Sequence, residues 1–199
     1  MSAPADLTRL MNNARVRLPG ATDDMLKVEL FNVLDEFFQN SKAWKEDITV
    51  RGKANKYEYE LVPSEPGVIE SLIGVADADE RPVRAAMPML GTLNLQTAPS
   101  QDQDYVATVS LTVVDPVKTD GYPQFPAWLL QKYGAHILDG LLGRMMSQIA
   151  KPYSSQQMAV YHLKRFRNGM AQARAESKHQ NLYAGQTWRF PRIAPGRQR

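Results

Sequence analysis

Pro126-Ala-Trp-Leu-Leu-Gln-Lys-Tyr-Gly-Ala-His-Ile-Leu-Asp-Gly-Leu-Leu-Gly-Arg-Met-Met-Ser-Gln-Ile149 is the most apolar stretch of the chain. Pro126 suits a first helical position, where its missing N–H would have no partner anyway. Leu130, Tyr133, Ile137, Leu141 and Met145 recur at three- and four-residue spacing, with Leu138, Leu142, Met146 and Ile149 beside them. A stripe that wide predicts a central helix contacted on more than one side. Lys151-Pro152 breaks it, because proline cannot continue the hydrogen-bond ladder and biases its predecessor away from helix. Ser154 or Ser155 then caps a second helix carrying Met158, Tyr161 or His162, Leu163, Phe166 and Met170. The pair reads as an antiparallel helical hairpin.

Working back from the hairpin, a first helix is expected over residues 4–16, with Leu7, Leu10, Met11 and Ala14 on one face. Leu18-Pro19-Gly20 stops it. Thr22-Asp23-Asp24 supplies an N-cap with acids in the first turn, which suits the positive end of a helix dipole. Leu26, Leu30, Val33, Leu34 and Phe37 form the core face of that second helix, with Phe31 and Phe38 alongside, and it ends near Asn40-Ser41. Trp44 reads as a buried anchor at the junction of helix and strand. From Glu46 the period changes to two. Residues 47–51 and 56–62 alternate, with turn-rich residues 51–56 between them, and read as a β-hairpin. Residues 68–75 form another strand, followed by the acidic loop Asp77-Ala-Asp-Glu80. Between 81 and 100 only residues 91–95 look like a strand. Residues 105–114 are the clearest strand of all, ended by Asp115-Pro116.

The fold class expected is therefore α+β: an antiparallel helical bundle with a β-rich insertion between the second and third helices and an extended C-terminal arm. Residues 1–45 supply the N-terminal helices, 46–120 the insertion, 121–180 the C-terminal helical hairpin and 181–199 a basic arm.

A chain of 199 residues with 43% hydrophobic content can bury a substantial core. It has no cysteine, which excludes disulfides, thiolate metal sites and a cysteine nucleophile. Met-Ser-Ala-Pro-Ala-Asp lacks the basic and apolar regions of a signal peptide. Lys132, His136, Asp139 and Arg144 interrupt the longest apolar run, so no membrane span and a cytosolic, soluble product are expected. The net charge of +3 conceals a division. Residues 151–199 hold ten Lys/Arg against Glu176 alone, a charge of +9, while the first 150 residues carry −6. Two readings of the basic end stay open: a surface for a negative partner, or a solvated helix face with a disordered tail.

No catalytic, cofactor or metal constellation emerges. His136, His162 and His179 are the only histidines, and His136 with Asp139 or Lys132 is a pairing any helix surface produces, so a surface or capped-core role is expected. Gly140 and Gly143, near Gly134, lack the strand–turn–helix setting of a phosphate loop. Each costs about 1 kcal/mol inside a helix, so close approach of a neighbouring helix or subunit is their expected purpose. Asp23-Asp24 and Asp77-Ala-Asp-Glu80 read as a helix start and a solvated loop. An enzyme is not expected. The basic helix face Lys164, Arg165, Arg167 and Arg174, continued by Lys178, has spacings that can follow a phosphate backbone, and Trp188 and Phe190 can stack on bases. No helix-turn-helix, zinc or RNP-type motif accompanies them.

The order of parts resembles the head-to-tail adaptor family of tailed bacteriophages (connector, or tail tubular protein A-like). The matching stretches are Ser41-Lys-Ala-Trp44-Lys-Glu-Asp-Ile48, Phe125-Pro-Ala-Trp128, Gly140-Leu-Leu-Gly-Arg-Met-Met146 and Gly185-Gln-Thr-Trp-Arg-Phe-Pro191. The resemblance covers nearly the whole chain in layout and is diffuse in sequence. It implies a structural virion protein in the neck between capsid and tail, made in the host cytoplasm, that bridges the portal protein to the tail nozzle or tail tube protein. It implies self-assembly into a ring of about twelve copies, with incidental contact to DNA in the channel and no membrane partner. Its C-terminal arm would dock on the portal or a neighbouring subunit through Tyr183, Trp188, Arg189, Phe190, Pro191 and Arg192, a composition typical of interface anchors. The insertion loops at 76–103 match nothing in the family and would contact the tail. The alternative reading is a nucleic-acid-binding protein that uses the basic C-terminal helix and tail.

Overall fold

The apolar stripe of residues 126–149 becomes the helix on which the others converge. The computed structural model describes residues 3–114 and 121–180, the side chains of His179 and Gln180 excepted. The arm at 181–199 and the stop at Asp115-Pro116 lie outside the described residues. In chain order the elements are α1 (Thr8–Arg17), α2 (Asp23–Ser41), β1 (Lys45–Gly52), β2 (Glu58–Glu60), β3 (Gly67–Asp77), β4 (Ala85–Met89), β5 (Thr92–Leu95), β6 (Gln103–Val113), α3 (Ala127–Met146) and α4 (Gln156–Gln180). The chain is α+β: two N-terminal helices, six strands in two antiparallel sheets, then two C-terminal helices.

Leu129, Tyr133, Ile137, Leu141, Leu142 and Met145 of α3 are buried. They pack between α2, whose Leu26, Leu30, Val33, Leu34, Phe37 and Phe38 are fully buried, and antiparallel α4, which buries Ala159, His162, Phe166, Ala173 and Ser177. Gly140 sits where the three helices meet. A Cβ there would lie 2.7 Å from Val33 Cγ1 and 2.8 Å from Phe166 Cδ2, and one on Gly143 would lie 2.8 Å from Leu163 Cγ. These glycines thus set helix–helix distance, as their spacing implied. α1 lays Leu10, Met11 and Ala14 against α3.

The first helix starts later than expected. Residues 3–5 are extended and pair with the lead-in to α3, with Ala5 N–H donating to Phe125 O at 2.8 Å and Ala127 N–H to Ala3 O at 2.9 Å. Asp6 then accepts from Thr8 N–H at 2.9 Å, which opens the helix. The same pairing holds Pro126 extended, so it is the N-cap of α3 rather than its first turn. At the other end α3 stops at Met146, before Lys151-Pro152. Ala150 takes a positive φ, and Ser155 N–H donates to Met146 O at 3.0 Å. Tyr153 is buried and bonds Gln148, which turns the chain and leaves Ile149 91% exposed rather than on the stripe. Ser155, not Ser154, caps α4 by accepting from Met158 N–H. On α4 it is His162 that points inward, while Met158 and Tyr161 face solvent.

The insertion holds two sheets, ordered β1-β6-β3 and β2-β5-β4. β6 is central because its whole second half is apolar or small and buried on both faces, from Val109 to Val113. The expected hairpin of residues 47–51 with 56–62 does not form. β1 pairs with β6, Lys45 opposite Ser110 through Gly52 opposite Gln103, while β2 pairs with β5 in the other sheet. The connection after Gly52 carries the chain between sheets and runs beside the return connection, Ala54 N–H donating to Asp102 Oδ1 at 2.8 Å and Asn55 N–H to Pro99 O at 2.9 Å. Its turn-rich composition serves a crossover, not a hairpin. β4 was not expected because Pro88 interrupts it; it lies at a sheet edge, where a missing N–H is tolerated, and its register slips between Ala86 and Met89. Tyr59 of β2 and Leu93 and Leu95 of β5 join the same continuous core as Ile48, Val50, Tyr105 and Ala107 of the first sheet.

Trp44 fastens this insertion to the bundle. It is 1% exposed and meets Phe38 edge-on at 5.5 Å, and Phe38 in turn meets Phe125 at 5.6 Å. Such aromatic pairs add about 0.5–1.5 kcal/mol each beyond their burial. The anchor role expected of Trp44 is the one it plays.

Candidate functional site

At ~100° per residue, Lys164, Arg167, Arg174 and Lys178 fall within an arc of ~80° on one flank of α4. Arg165 stands at least ~100° away on the other flank. The expected basic face therefore divides. Lys164, Arg165, Arg167 and Arg174 are all exposed, but only three of them share a track.

Arg165 belongs to a different arrangement. Its Nε lies 3.0 Å from Asp139 Oδ2, without the alignment of a hydrogen bond, and its guanidinium donates to Tyr161 Oη at 3.0 Å. The Tyr161 hydroxyl, then Asp139, raise its already high pKa. Asp139 itself is buried in α3 and faces His162 Nδ1 at 2.8 Å. Of the surface and capped-core roles expected from the sequence, Asp139 takes the second, as the polar centre of the α3–α4 contact. The signal was present only as the inward register of His162, which competed with Tyr161 for the same face.

Arg174 and Lys178 end the basic track at a concavity of about 290 Å³, lined also by Ser41, Lys42, Lys45, Leu72, Ile73 and Ser177. The structure places its walls on four elements. Lys42 takes the left-handed conformation that ends α2, its N–H donating to Phe38 O, and its Nζ donates to Ser71 Oγ at 2.9 Å. Ser177 Oγ donates to Lys42 O at 2.6 Å, which locks α4 onto the end of α2. Lys45 Nζ donates to Ser177 O, and burial pushes its ammonium below the usual lysine range, partly offset by nearby Asp47. Lys42 and Lys45 sit about 130 residues from Arg174 and Lys178, so no local motif announces the cluster.

The arm residues Tyr183, Trp188, Arg189, Phe190, Pro191 and Arg192 lie outside the described residues. Among the described residues, no group of three or more His, Asp or Glu side chains is placed to hold a metal ion, and no helix is long and apolar enough to cross a membrane. Exposed apolar side chains gather at two other places. Met89 and Leu90 stand at the β4–β5 turn, 69% and 65% exposed, and Met158, Val160 and Tyr161 stand on the first turns of α4. No protein-family model matches this chain, and no curated protein matches it.

Proposed function

We propose that this chain is a structural virion protein, a head-to-tail adaptor that forms a ring between the portal and the tail nozzle of a tailed phage. The observation that carries the reading is the layout. N-terminal and C-terminal helices share one bundle, the sheets grow from the loop between α2 and α3, and a basic aromatic segment follows α4. A ring adaptor needs a rigid body, a projecting contact and a sequence free to bind a second protein. Here the bundle is the rigid body, and the insertion, with Met89 and Leu90 exposed at its β4–β5 turn, is the projection toward the tail. The exposed Met158 and Tyr161, on one flank of α4, offer a lateral surface to the next copy. Residues 181–199 are the arm that docks on the portal through Tyr183, Trp188, Phe190 and their flanking arginines.

Mass spectrometry of purified tailed particles from the source is the direct test. The adaptor reading expects this chain in fixed ratio to the portal protein. Its absence from particles, with the protein recovered free in the lysate, would overturn the reading. Deleting residues 181–199 tests the arm separately: attachment to portal-bearing capsids should be lost while the bundle stays folded. The nucleic-acid-binding reading rests on a different observation, the cationic flank of α4, and is compatible with a neck through which DNA passes.

A further inference from the structure

We infer that the concavity between the end of α2, β1, β3 and α4 is a phosphate site, and that its ligand is a phosphodiester of a nucleic-acid backbone lying along α4. Four cations, Lys42, Lys45, Arg174 and Lys178, line it together with Ser41 and Ser177. Among the described residues none of the four has a carboxylate within ion-pair distance, although seven ion pairs form elsewhere. Asp47 acts on Lys45 only through space. Like charges gathered without counter-charge raise the energy of the fold, and an anion in their midst offsets that repulsion.

The four suit a phosphate: three lysines meet phosphate oxygens as point charges, and Arg174 offers a planar fork that pairs a phosphate in two-point fashion. A volume of about 290 Å³ is ample for a phosphoryl group with its water. What makes the ligand a polymer is continuity. Lys164 and Arg167 lie on the same flank of α4, so the row from Lys164 to Lys178 spans ~21 Å. One nucleic-acid strand presents about six phosphates over that length. Ser177 of the wall holds Lys42 O, and Ser71 beside the pocket accepts from Lys42 Nζ, which leaves the ammonium and guanidinium groups of Lys178 and Arg174 to meet the backbone. The site does not depend on ring assembly or on the neck reading.

The test uses the full chain and a labelled short DNA duplex of mixed sequence, read by fluorescence anisotropy over a salt series. Arg174→Gln/Lys178→Gln is compared with Arg51→Gln/Lys53→Gln, which removes the same charge from exposed positions at and just after the end of β1. The site predicts salt-sensitive duplex binding that falls about tenfold or more in the first variant, with a logarithmic salt slope shallower by about two. The second variant should bind within about twofold of the parent, as scattered surface charge contributes little. Thermal melting checks that each variant folds, and Lys178→Gln alone replaces the pair if it does not. Equal weakening by both variants, or no duplex binding, overturns the site. Inorganic phosphate that saturates the pocket by calorimetry while duplex fails to bind overturns the polymer assignment. Poly-glutamate competing as well as duplex overturns the choice of phosphate.

Discussion

Asp139 of α3 and His162 of α4 face one another across the helical hairpin, Oδ1 to Nδ1 at 2.8 Å, each side chain only 6% exposed. Burying a carboxylate costs several kcal/mol unless it is paired, and His162 and Arg165 are the partners that α4 provides. The pair therefore fixes the sliding register of α4 on α3 as well as satisfying charge. Replacing Asp139 by Ala leaves the buried imidazole without its partner and opens a void, and should cost about 3–5 kcal/mol in urea denaturation. Arg165 is half exposed, with 51% of its side chain accessible, so Arg165→Gln should cost far less than Asp139→Ala. Equal losses from the two substitutions would show that the hairpin is not held through the buried pair.

The glycines of α3 give a sharper contrast. Gly140 and Gly134 lie in the same helix, and alanine is intrinsically better than glycine there by about 1 kcal/mol. A Cβ on Gly134 meets only Leu130 of its own helix, at 3.4 Å, so Gly134→Ala should stabilise by up to that amount. A Cβ on Gly140 must displace Val33 or Phe166, both closer than 3 Å. Overpacking of this kind costs about 1–3 kcal/mol, which exceeds the propensity gain. Thermal melts of the two variants should move in opposite directions.

Much of this arrangement was legible in the sequence, because helical spacing reports burial directly. Leu26, Leu30, Val33, Leu34 and Phe37 could be assigned to a core face from their spacing alone, and all are fully buried. Trp44 was placed at its junction by the change of period beside it. The strand pairing was not legible. Alternation in residues 47–51 and 56–62 says that each is a strand and nothing of its partner, and the partner of β1 lies more than 50 residues on. The electrostatic cluster failed for the same reason. Arg174 is legible in the local row on α4, but Lys42 and Lys45 come to it only through packing of α4 on the end of α2. Arg165 neighbours Lys164 and Arg167 in sequence, and one helical step puts it beside Asp139 instead.

A pH-dependent contribution should come from Glu176 of α4. Lys132 Nζ lies 2.8 Å from its Oε2, and Gln172 and Tyr133 donate to it as well. Lys132 first, then Gln172, hold its carboxyl below the usual glutamate range. A depressed folded-state pKa means that the unfolded chain binds the proton first as pH falls. The contribution is thus complete above the ordinary glutamate range and is lost as pH drops through the depressed value. Both side chains are more than 30% exposed, so screening keeps it below about 1 kcal/mol. Denaturation across the acid limb should show a shallower pH slope in Glu176→Gln than in the parent, and 1 M salt should shrink the difference. Coincident slopes would remove Glu176 from the account of acid stability.

Met89 and Leu90 separate the two ends of the proposed adaptor. They occupy the β4–β5 turn, 69% and 65% exposed, with Gly91 at positive φ closing the turn. Exposed apolar side chains at the tip of a sheet contribute little to the fold, so Met89→Ser/Leu90→Ser should change stability by no more than about 0.5 kcal/mol per site. In the adaptor reading the tip meets the tail while residues 181–199 meet the portal. Particles carrying the tip variant should therefore keep this chain in its normal ratio to the portal and fail to recruit the tail nozzle, seen by electron microscopy as tailless heads with an occupied neck. The arm deletion should give the opposite defect, with the chain absent from the particles altogether. Wild-type tails on the tip variant would take the tail contact away from the β4–β5 turn. Loss of the chain from those particles would instead place the portal contact on the insertion, reversing the polarity of the ring.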